Sequence, residues 1–168
     1  TELKRLHRTW RRSSDVRLAL ILDGVQKPYN VGSILRSAAA YAVEEIWAVP
    51  PTPGLDDRGV AKTALGSAKF ASWRTATSGP EAVQAAKAAG YTTVAIELCT
   101  GAEPLFELDL GRAVCLVLGH EDRGVHRDTL AAVDHAGYLP QLGRIGSLNV
   151  AHAGTAALYE IAAARFAR

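Results

Sequence analysis

Three segments of the sequence share one pattern, in which a short apolar stretch ends in a polar loop that contains glycine. The first two stretches cover residues 18–22 and 114–118, and the third, at residues 138–139, leads through two glycines into a helix of about five turns. Uninterrupted apolar runs are typical of strands that are buried on both faces of a parallel sheet. Ligands bind beyond the carboxyl ends of such strands. The pattern therefore predicts one composite site made of three loops, although each loop alone could be an ordinary strand-to-helix connection.

Strands and helices alternate along the 168 residues, and this alternation predicts an α/β domain with a mostly parallel sheet covered by helices on both faces. Strands are predicted over residues 18–22, 44–49, 91–98, 113–118 and 138–139. Helices are predicted over residues 1–14, 28–42, 60–71, 78–90, 127–133 and 149–160. No apolar run approaches the roughly 18 residues of a membrane span, and no signal peptide opens the chain, so we expect a cytoplasmic protein.

The positive charge of the chain is concentrated at its beginning. Residues 1–17 carry six basic and two acidic side chains, which gives +4 (6 − 2), whereas the rest of the chain carries −2. We expect residues 1–16 to form a basic arm that binds nucleic acid, next to a single domain over residues 17–168, because basic side chains neutralise phosphates. A solvated helix face is the alternative. The candidate RNA-binding residues are Lys4, Arg5, Arg8, Arg11 and Arg12.

Several common chemistries have no support in the sequence. No GxGxxG follows the first strand, and Val125-His126 stands where a P-loop needs Lys followed by Ser or Thr. No GxSxG is present, the five histidines have no zinc-site spacing, and Cys99 and Cys115 form no CxxC pair, so no metal is expected. A reaction that depends on positioning more than on strong acids or bases suits such loops.

The three segments together resemble the three motifs of the SpoU (TrmH-type) RNA ribose 2′-O-methyltransferases of the SPOUT superfamily. The first motif corresponds to residues 28–36, PYNVGSILR, and the second to residues 116–125, LVLGHEDRGV. The third runs from LPQL at residues 139–142 to SLNV at residues 147–150. They occur in the family's order and spacing, and they cover nearly the whole chain after residue 17.

The resemblance implies a C-terminal deep trefoil knot, S-adenosylmethionine as cofactor, and a homodimer whose active site borrows groups across the interface. It also implies transfer of a methyl group to a ribose 2′-hydroxyl of RNA. We expect tRNA, modified at a D-loop guanosine, because a short chain with a basic arm resembles those enzymes. The alternatives are a 23S rRNA 2′-O-methyltransferase, a non-catalytic RNA-binding relative, and a nucleotide-binding α/β enzyme such as a dehydrogenase.

The resemblance also suggests roles for single residues. Arg36 is expected to activate the ribose hydroxyl; since guanidinium is a poor base, we interpret it as a cation that stabilises the developing alkoxide. Asn30 matches the asparagine of the first motif and could equally cap its helix. Glu121 matches the acid of the second motif and is expected to orient Arg36 through an ion pair, with a plain surface acid as the alternative. Ser147 and Asn149 are expected to contact substrate or cofactor from the start of the last helix, with plain capping as the alternative.

A cofactor pocket made largely of backbone groups is expected in the second and third loops, at Gly119 and from Gly143 to Ser147. Adenine needs a flat apolar slot and backbone hydrogen bonds. Leu139, Leu142 and Leu148 are the expected slot, and core packing is the alternative for each. Gly119→Val is expected to fill the pocket and leave the fold intact. The resemblance implies the following candidate cofactor-binding residues: Ile96, Glu97, Gly119, Leu139, Gln141, Leu142, Ser147 and Leu148.

Overall fold

Seven strands form one sheet in the computed structural model of the chain, which describes residues 2–166. The strands are β1 (Arg17–Asp23), β2 (Glu45–Val49), β3 (Ser72–Thr75), β4 (Thr92–Ile96), β5 (Glu103–Pro104), β6 (Ala113–Gly119) and β7 (His135–Tyr138). The helices are α1 (Glu2–Ser13), α2 (Pro28–Ala40), α3 (Arg58–Ala64), α4 (Gly79–Ala88), α5 (Arg127–Ala132) and α6 (Val150–Phe166). Short 3₁₀ turns cover Ser67–Phe70 and Leu105–Glu107.

The strand order is β3-β2-β1-β6-β4-β7-β5, and each strand pairs in parallel with its neighbours. The apolar strand β6 lies in the centre between β1 and β4, as expected for a run buried on both faces. Because all strands point the same way, the loops after β1, β4, β6 and β7 meet at one edge of the sheet. The predicted parallel architecture is confirmed.

Two apolar layers lie on opposite faces of the sheet. Leu18, Leu20 and Leu22 of β1 pack with apolar residues of α2, α3 and α6. The alternate residues Ala19 and Ile21 pack with α4 and α5 on the other face. This alternation is the period-two geometry of a strand, and it explains why β1 has no polar residue between Leu18 and Leu22. Among the described residues, no helix is long and apolar enough to cross a membrane.

The structure differs from the sequence prediction at residues 60–71, where one helix was expected. The helix α3 ends at Ala64, and Leu65 and Gly66 both adopt left-handed backbone conformations with φ values of 49° and 78°. Such a pair of residues ends a helix, so a separate 3₁₀ turn follows. The strands β3 and β5 were not predicted. They are short strands on the two edges of the sheet, and β3 lacks an apolar run.

The basic segment forms the helix α1, as predicted. Its side chains that the structure describes are exposed, including Leu6 and the candidate RNA-binding residues Lys4, Arg5 and Arg8. The side chains of Arg11 and Arg12 lie outside the described part of the chain. RNA binding by this arm therefore stays a prediction.

The helices α2 and α3 approach each other most closely at Gly32. A Cβ atom at this position would lie 2.6 Å from the Thr63 Cβ and 2.8 Å from the Val60 carbonyl oxygen. Such distances are below ordinary van der Waals contact, and one of the two atoms belongs to backbone that has little room to move. Gly32 therefore allows α3 to pack directly on the helix that carries the first motif.

We expect Gly32→Ala to lower the free energy of unfolding by about 1 kcal/mol. Overpacking costs roughly 1–3 kcal/mol, and the gain of about 1 kcal/mol that alanine brings to a helix interior offsets part of this cost, which leaves a net loss of about 0–2 kcal/mol. Urea unfolding measures this difference. Gly143→Ala is the control, because nothing lies within 4 Å of its added methyl group. Equal stability of the two variants would contradict the close packing of α2 on α3.

Candidate active site

A cavity of about 380 Å³ opens at the carboxyl edge of the sheet. Its walls come from the ends of β4, β6 and β7, from the loop between β7 and α6, and from the first turns of α6. The volume is within the range of small-molecule sites. The structure thus brings together loops that are far apart in the sequence, at the place where open parallel sheets bind ligands.

The loop after β6 is closed by two backbone hydrogen bonds, from the His120 N–H to the Gly124 carbonyl (2.9 Å) and from the Gly124 N–H to the His120 carbonyl (2.8 Å). Gly119 lies under this closure. A Cβ atom there would be 2.2 Å from the Gly124 carbonyl carbon and from the Val125 nitrogen. Gly119 is thus required by the loop itself. The expectation that Gly119→Val would only fill the pocket is wrong, because the added side chain would collide with backbone.

Glu121, at the tip of this loop, reaches the N-terminus of α2. Its carboxylate accepts hydrogen bonds from the backbone N–H groups of Gln26 (3.0 Å) and Lys27 (2.8 Å), and from the side-chain amide of Asn30 (2.8 Å). The residue at the cap position of α2, Lys27, has no side-chain acceptor of its own. An acid from a distant segment therefore satisfies the N–H groups of the two residues that precede α2 and lies at the positive end of the helix dipole.

Asn30 links Glu121 to the third motif. A carboxylate only accepts hydrogen bonds, so the Asn30 Nδ2 must face Glu121 and its Oδ1 must face away. This Oδ1 accepts a hydrogen bond of 3.0 Å from the Asn149 Nδ2. Asn30 is 9% exposed, and both ends of its amide are engaged. Its orientation is therefore fixed by its chemical partners.

Asn149 caps the helix α6. Its Oδ1 accepts hydrogen bonds from the backbone N–H groups of Ala151 (2.9 Å) and His152 (3.3 Å). Since this oxygen faces N–H donors, the amide nitrogen must point toward Asn30. The chain of contacts from Glu121 through Asn30 to Asn149 therefore joins the three motifs and holds the starts of two helices, α2 and α6, together.

The hydrogen bonds hold the pKa of Glu121 far below its ordinary value. Partial burial alone would raise this pKa, but the N–H of Gln26, the amide of Asn30 and the N–H of Lys27 together lower it to about 2. Glu121 is therefore ionised at neutral pH and holds no proton to donate to a substrate. The geometry makes it a positioning residue.

Glu97 forms a second anchor on the opposite side of the loop after β6. Its carboxylate accepts hydrogen bonds from the Val125 N–H (3.0 Å) and the Leu98 N–H (3.2 Å). A Cβ atom at Gly124 would lie 2.1 Å from this carboxylate, and Gly124 has a φ of 70°. Only glycine suits this position without strain. The loop is thus held between Glu97 on one side and the α2 N-terminus on the other.

The predicted cofactor-binding residues fall mostly on one surface. The following of them line the cavity: Ile96, Glu97, Gly119, Leu139, Gln141, Ser147 and Leu148. Leu142 does not line it, and its side chain is fully exposed. The loop between Pro140 and Asn149 turns Leu142 outward, so a leucine that was expected to form part of the slot lies on the surface instead.

Arg36 lies apart from this cavity. It is six residues after Asn30 on α2, or about 9 Å along the helix axis, and its side chain is exposed. The expected ion pair with Glu121 is wrong. The Glu121 oxygens are occupied by the start of α2, and Arg36 forms no ion pair with any residue in the described range. Helix geometry places Arg36 on the exposed side of α2, with Tyr29 and Ser33.

Three polar residues on the cavity wall had no assigned role in the sequence prediction: His120, Asp122 and Arg123. The His120 Nδ1 accepts a hydrogen bond from the Asp122 N–H (3.0 Å), so a neutral ring carries its proton on Nε2 and donates to the Gln26 side chain (3.1 Å). The ring thereby ties this loop again to the residues before α2. Because these three residues belong to the second motif, the sequence could have indicated them as residues of the site.

Comparison with known proteins gives the family. The sequence model of the SpoU rRNA Methylase family matches residues 17–159, and the chain belongs to this family. The resemblance seen in the three motifs is confirmed. The chain is 34% identical, over 143 residues, to a tRNA (guanosine(18)-2′-O)-methyltransferase of Escherichia coli K12, covering 85% of this chain and 62% of that protein.

Other relatives share the same region. A 23S rRNA (guanosine-2′-O-)-methyltransferase of Pseudomonas aeruginosa is 33% identical over 153 residues, which cover 89% of this chain and 60% of that protein. The chain therefore spans about three fifths of the length of these two relatives. The solved structure of the SpoU methyltransferase AviRb from Streptomyces viridochromogenes, in complex with the cofactor AdoMet, superposes with a TM-score of 0.78 at 27% identity. That match covers 92% of this chain and 62% of AviRb.

We expect Glu121 to stabilise the folded protein at neutral pH and to lose this effect at acid pH. In the folded protein its carboxylate stays ionised down to about pH 2, whereas in the unfolded chain it takes up a proton near its ordinary pKa of 4.5. A lowered pKa in the folded state stabilises the protein above pH 4.5, and this stabilisation is lost as the pH falls from 4.5 toward 2.

Glu121→Gln removes this ionisation, so the difference in unfolding free energy between wild type and variant should be largest near neutral pH. It should shrink steadily below about pH 4.5. Urea titrations of both proteins at several pH values measure it. Glu107→Gln, on an exposed residue away from the cavity, is the control and should show no such trend. A difference for Glu121→Gln that stays constant from neutral to strongly acid pH would contradict the hydrogen-bonded carboxylate.

Proposed function

We propose that this chain transfers a methyl group from S-adenosylmethionine to a ribose 2′-hydroxyl of RNA. The observation that carries the proposal is the linked set Glu121, Asn30 and Asn149 beside the cavity, which unites the three family motifs. The names of the relatives support the same reaction class. The rival proposals, an RNA-binding protein without activity and a nucleotide-dependent dehydrogenase, have no comparable set of contacts in their favour.

The cavity has the chemistry that an adenosyl group needs. Ile96, Leu118, Leu139 and Leu148 give it apolar walls, and the loop after β6 contributes backbone polar groups between them. An adenine ring takes such a slot when backbone donors and acceptors lie at its edge. These residues are the proposed cofactor-binding surface. S-adenosylmethionine, when bound there, supplies a methyl group on a sulfonium that leaves without acid assistance.

The protein has to orient the ribose hydroxyl and stabilise the charge that appears on its oxygen. Glu121 is ionised and engaged, and Asn30 and Asn149 have fixed amides, so these residues position the loops. Among the candidate catalytic residues, Arg36 is the cation. We propose that it binds the phosphate next to the target ribose and stabilises the developing alkoxide. Ser147, at the cavity wall, is the proposed contact to substrate or cofactor.

We propose that the chain forms a homodimer, because Arg36 does not line the cavity of its own subunit and could reach the cavity of a partner. Arg36 lies on the exposed side of α2, and large apolar side chains of α2, of α6 and of the loop before α6 are also exposed. They are Tyr29, Leu142, Ile145 and Tyr159. Exposed apolar groups of this size mark interaction surfaces. We propose that this surface forms the subunit interface and that each Arg36 serves the cavity of the partner.

The C-terminal segment is proposed to form the trefoil knot of the family. The strand β7 lies outside β4, whereas α6 returns to pack on α2 and β6 toward the centre of the sheet. In the proposed knot, the loop between β7 and α6 crosses back over the connections that surround β4 and β6. Knots are very rare in proteins, so this crossing could not be expected from the sequence pattern alone.

Among RNAs, tRNA is the proposed substrate, because the relative from Escherichia coli K12 is named as a tRNA enzyme and the basic helix α1 suits a phosphate backbone. The relative from Pseudomonas aeruginosa is named for 23S rRNA, which is the alternative substrate. Methyl transfer to tRNA and 23S rRNA transcripts, followed by mass mapping of the 2′-O-methylated nucleotide, separates the two. Transfer to neither RNA would contradict the proposed reaction.

Arg36→Ala should lower the rate of methyl transfer by roughly 100-fold or more, the scale seen when one electrostatic group is removed from a reaction centre. The affinity for S-adenosylmethionine, measured by calorimetry, should hardly change, because Arg36 does not line the cavity. Arg36→Lys should restore little, since an ammonium lacks the planar fork of donors. Near wild-type turnover of Arg36→Ala would contradict the assignment.

A mixing experiment tests whether Arg36 acts across the subunit interface. Leu148→Glu places a charge in the cavity wall and should abolish cofactor binding while its Arg36 stays intact. Mixed dimers of Arg36→Ala and Leu148→Glu would contain one complete site, made of the Arg36→Ala cavity and the partner's arginine. Activity should therefore reappear on mixing two inactive proteins. Inactivity of proven mixed dimers would show that Arg36 serves its own cavity.

A further inference from the structure

A second exposed surface begins beside the linked set of Glu121, Asn30 and Asn149 and runs along α3. We call it the α3 surface, and it consists of Arg58, Lys62, Leu65, Lys69 and Phe70. It starts near the first motif because α3 begins against α2: a Cβ atom at Gly59 would lie 2.8 Å from the Pro28 Cβ, two residues before Asn30. Lys62 follows Arg58 by four residues, so the two positions lie about 6 Å apart along the axis of α3.

The positive charge of the α3 surface is not neutralised within the described residues. Arg58, Lys62 and Lys69 are exposed, and none of them forms an ion pair there. The adjacent acid Asp57 accepts hydrogen bonds from two backbone N–H groups at the start of α3, at 2.7 Å and 3.1 Å. The Asp57 carboxylate thus interacts with the N-terminus of α3 and forms no ion pair with Arg58 or Lys62. Three cations remain available to an anionic partner.

An aromatic ring lies within this charged surface. Phe70 is 63% exposed, and the Lys69 ammonium lies 5.2 Å from the centre of its ring. Leu65, five residues earlier in the sequence, is 70% exposed and has a left-handed backbone conformation. An exposed phenylalanine among lysines suits a partner that offers both flat apolar rings and negative charge. Protein interfaces are, by contrast, depleted in lysine.

We infer that the α3 surface binds the RNA substrate outside the reaction centre. Arg58, Lys62 and Lys69 contact successive backbone phosphates, and an unstacked base packs on Phe70. The surface leads away from the first motif, so it holds the RNA strand that flanks the target nucleotide. This inference rests on the proposed function, because it takes RNA as the substrate. It adds a contact region that is separate in sequence from the basic helix α1.

Two sets of substitutions test the inference on the full chain with a fluorescently labelled tRNA transcript. The double variant Lys62→Gln/Lys69→Gln should bind roughly tenfold more weakly, and its log–log dependence of affinity on salt should be shallower by about two charges. Phe70→Leu should weaken binding by roughly tenfold and leave the salt dependence unchanged, because it removes a stacking ring and no charge.

Arg127→Gln is the matched control. Its side chain is 94% exposed on α5, on the opposite face of the sheet, and it should bind RNA within about twofold of wild type. Calorimetry with S-adenosylmethionine and thermal melting verify that all variants keep the cavity and the fold. Gel filtration with light scattering shows whether the surface is instead a protein interface.

Binding is measured without turnover, so the two hypotheses fail separately. Wild-type protein that binds RNA but transfers no methyl group would refute the proposed reaction, and weaker binding of the variants would still support the surface. Variants that bind as tightly as wild type, or no more weakly than Arg127→Gln, would overturn the inference whatever the activity. A change of oligomeric state in Phe70→Leu or in the lysine variant would also overturn the inference. Wild-type protein that does not bind RNA would overturn it as well.

Discussion

The carboxylate of Glu121 accepts three hydrogen bonds at the start of α2, and the geometry of the whole site follows from these contacts. The acid fixes the amide of Asn30, Asn30 fixes the amide of Asn149, and Asn149 caps α6. Each step is determined by which atom can donate and which can only accept. Two segments that follow Asn30 by 91 and 119 residues in the chain are thereby held against the first motif.

This arrangement suits a reaction that depends on placing groups more than on proton transfer. Hydrogen bonds keep the pKa of Glu121 at about 2, so the acid stays charged and serves as a fixed acceptor. The loop after β6 is clamped by Glu121 on one side and Glu97 on the other, and glycines allow the close backbone contacts. A rigid cavity wall of this kind lowers the entropy that is lost when a flexible ligand is oriented.

Much of the fold followed from the sequence because its central strands have a clear signal. Residues 18–22 and 113–118 are uninterrupted apolar runs, and both became central parallel strands. The edge strand Ser72–Thr75 was missed because it is mostly exposed and polar. The break at Leu65 and Gly66 had one signal, Gly66, a residue type that often follows a helix end, whereas the left-handed conformation of Leu65 before it has no signature in sequence.

The partners within the site were harder to predict than its residues. The motifs indicated Asn30, Glu121 and Asn149, yet the sequence suggested that Glu121 would pair with Arg36. The attraction between opposite charges was overrated, and the unsatisfied N–H groups at the start of α2 were overlooked. A signal was present: Lys27 precedes the first helical residue, Pro28, and its own backbone N–H has no acceptor within the helix, so the acceptor had to come from elsewhere. Topology, which no local pattern encodes, placed Glu121 there.

The most direct test of the central claim is the coupling energy between Glu121 and Asn149. These two residues are connected by hydrogen bonds that each of them makes with Asn30. A double-mutant cycle with Glu121→Gln and Asn149→Ala, followed by urea unfolding, should give a coupling of roughly 1 kcal/mol in the wild-type background. In the Asn30→Ala background the same cycle should give a coupling near zero, because the connecting amide is gone. Strictly additive effects in the wild-type background, or a coupling that survives in Asn30→Ala, would contradict the account.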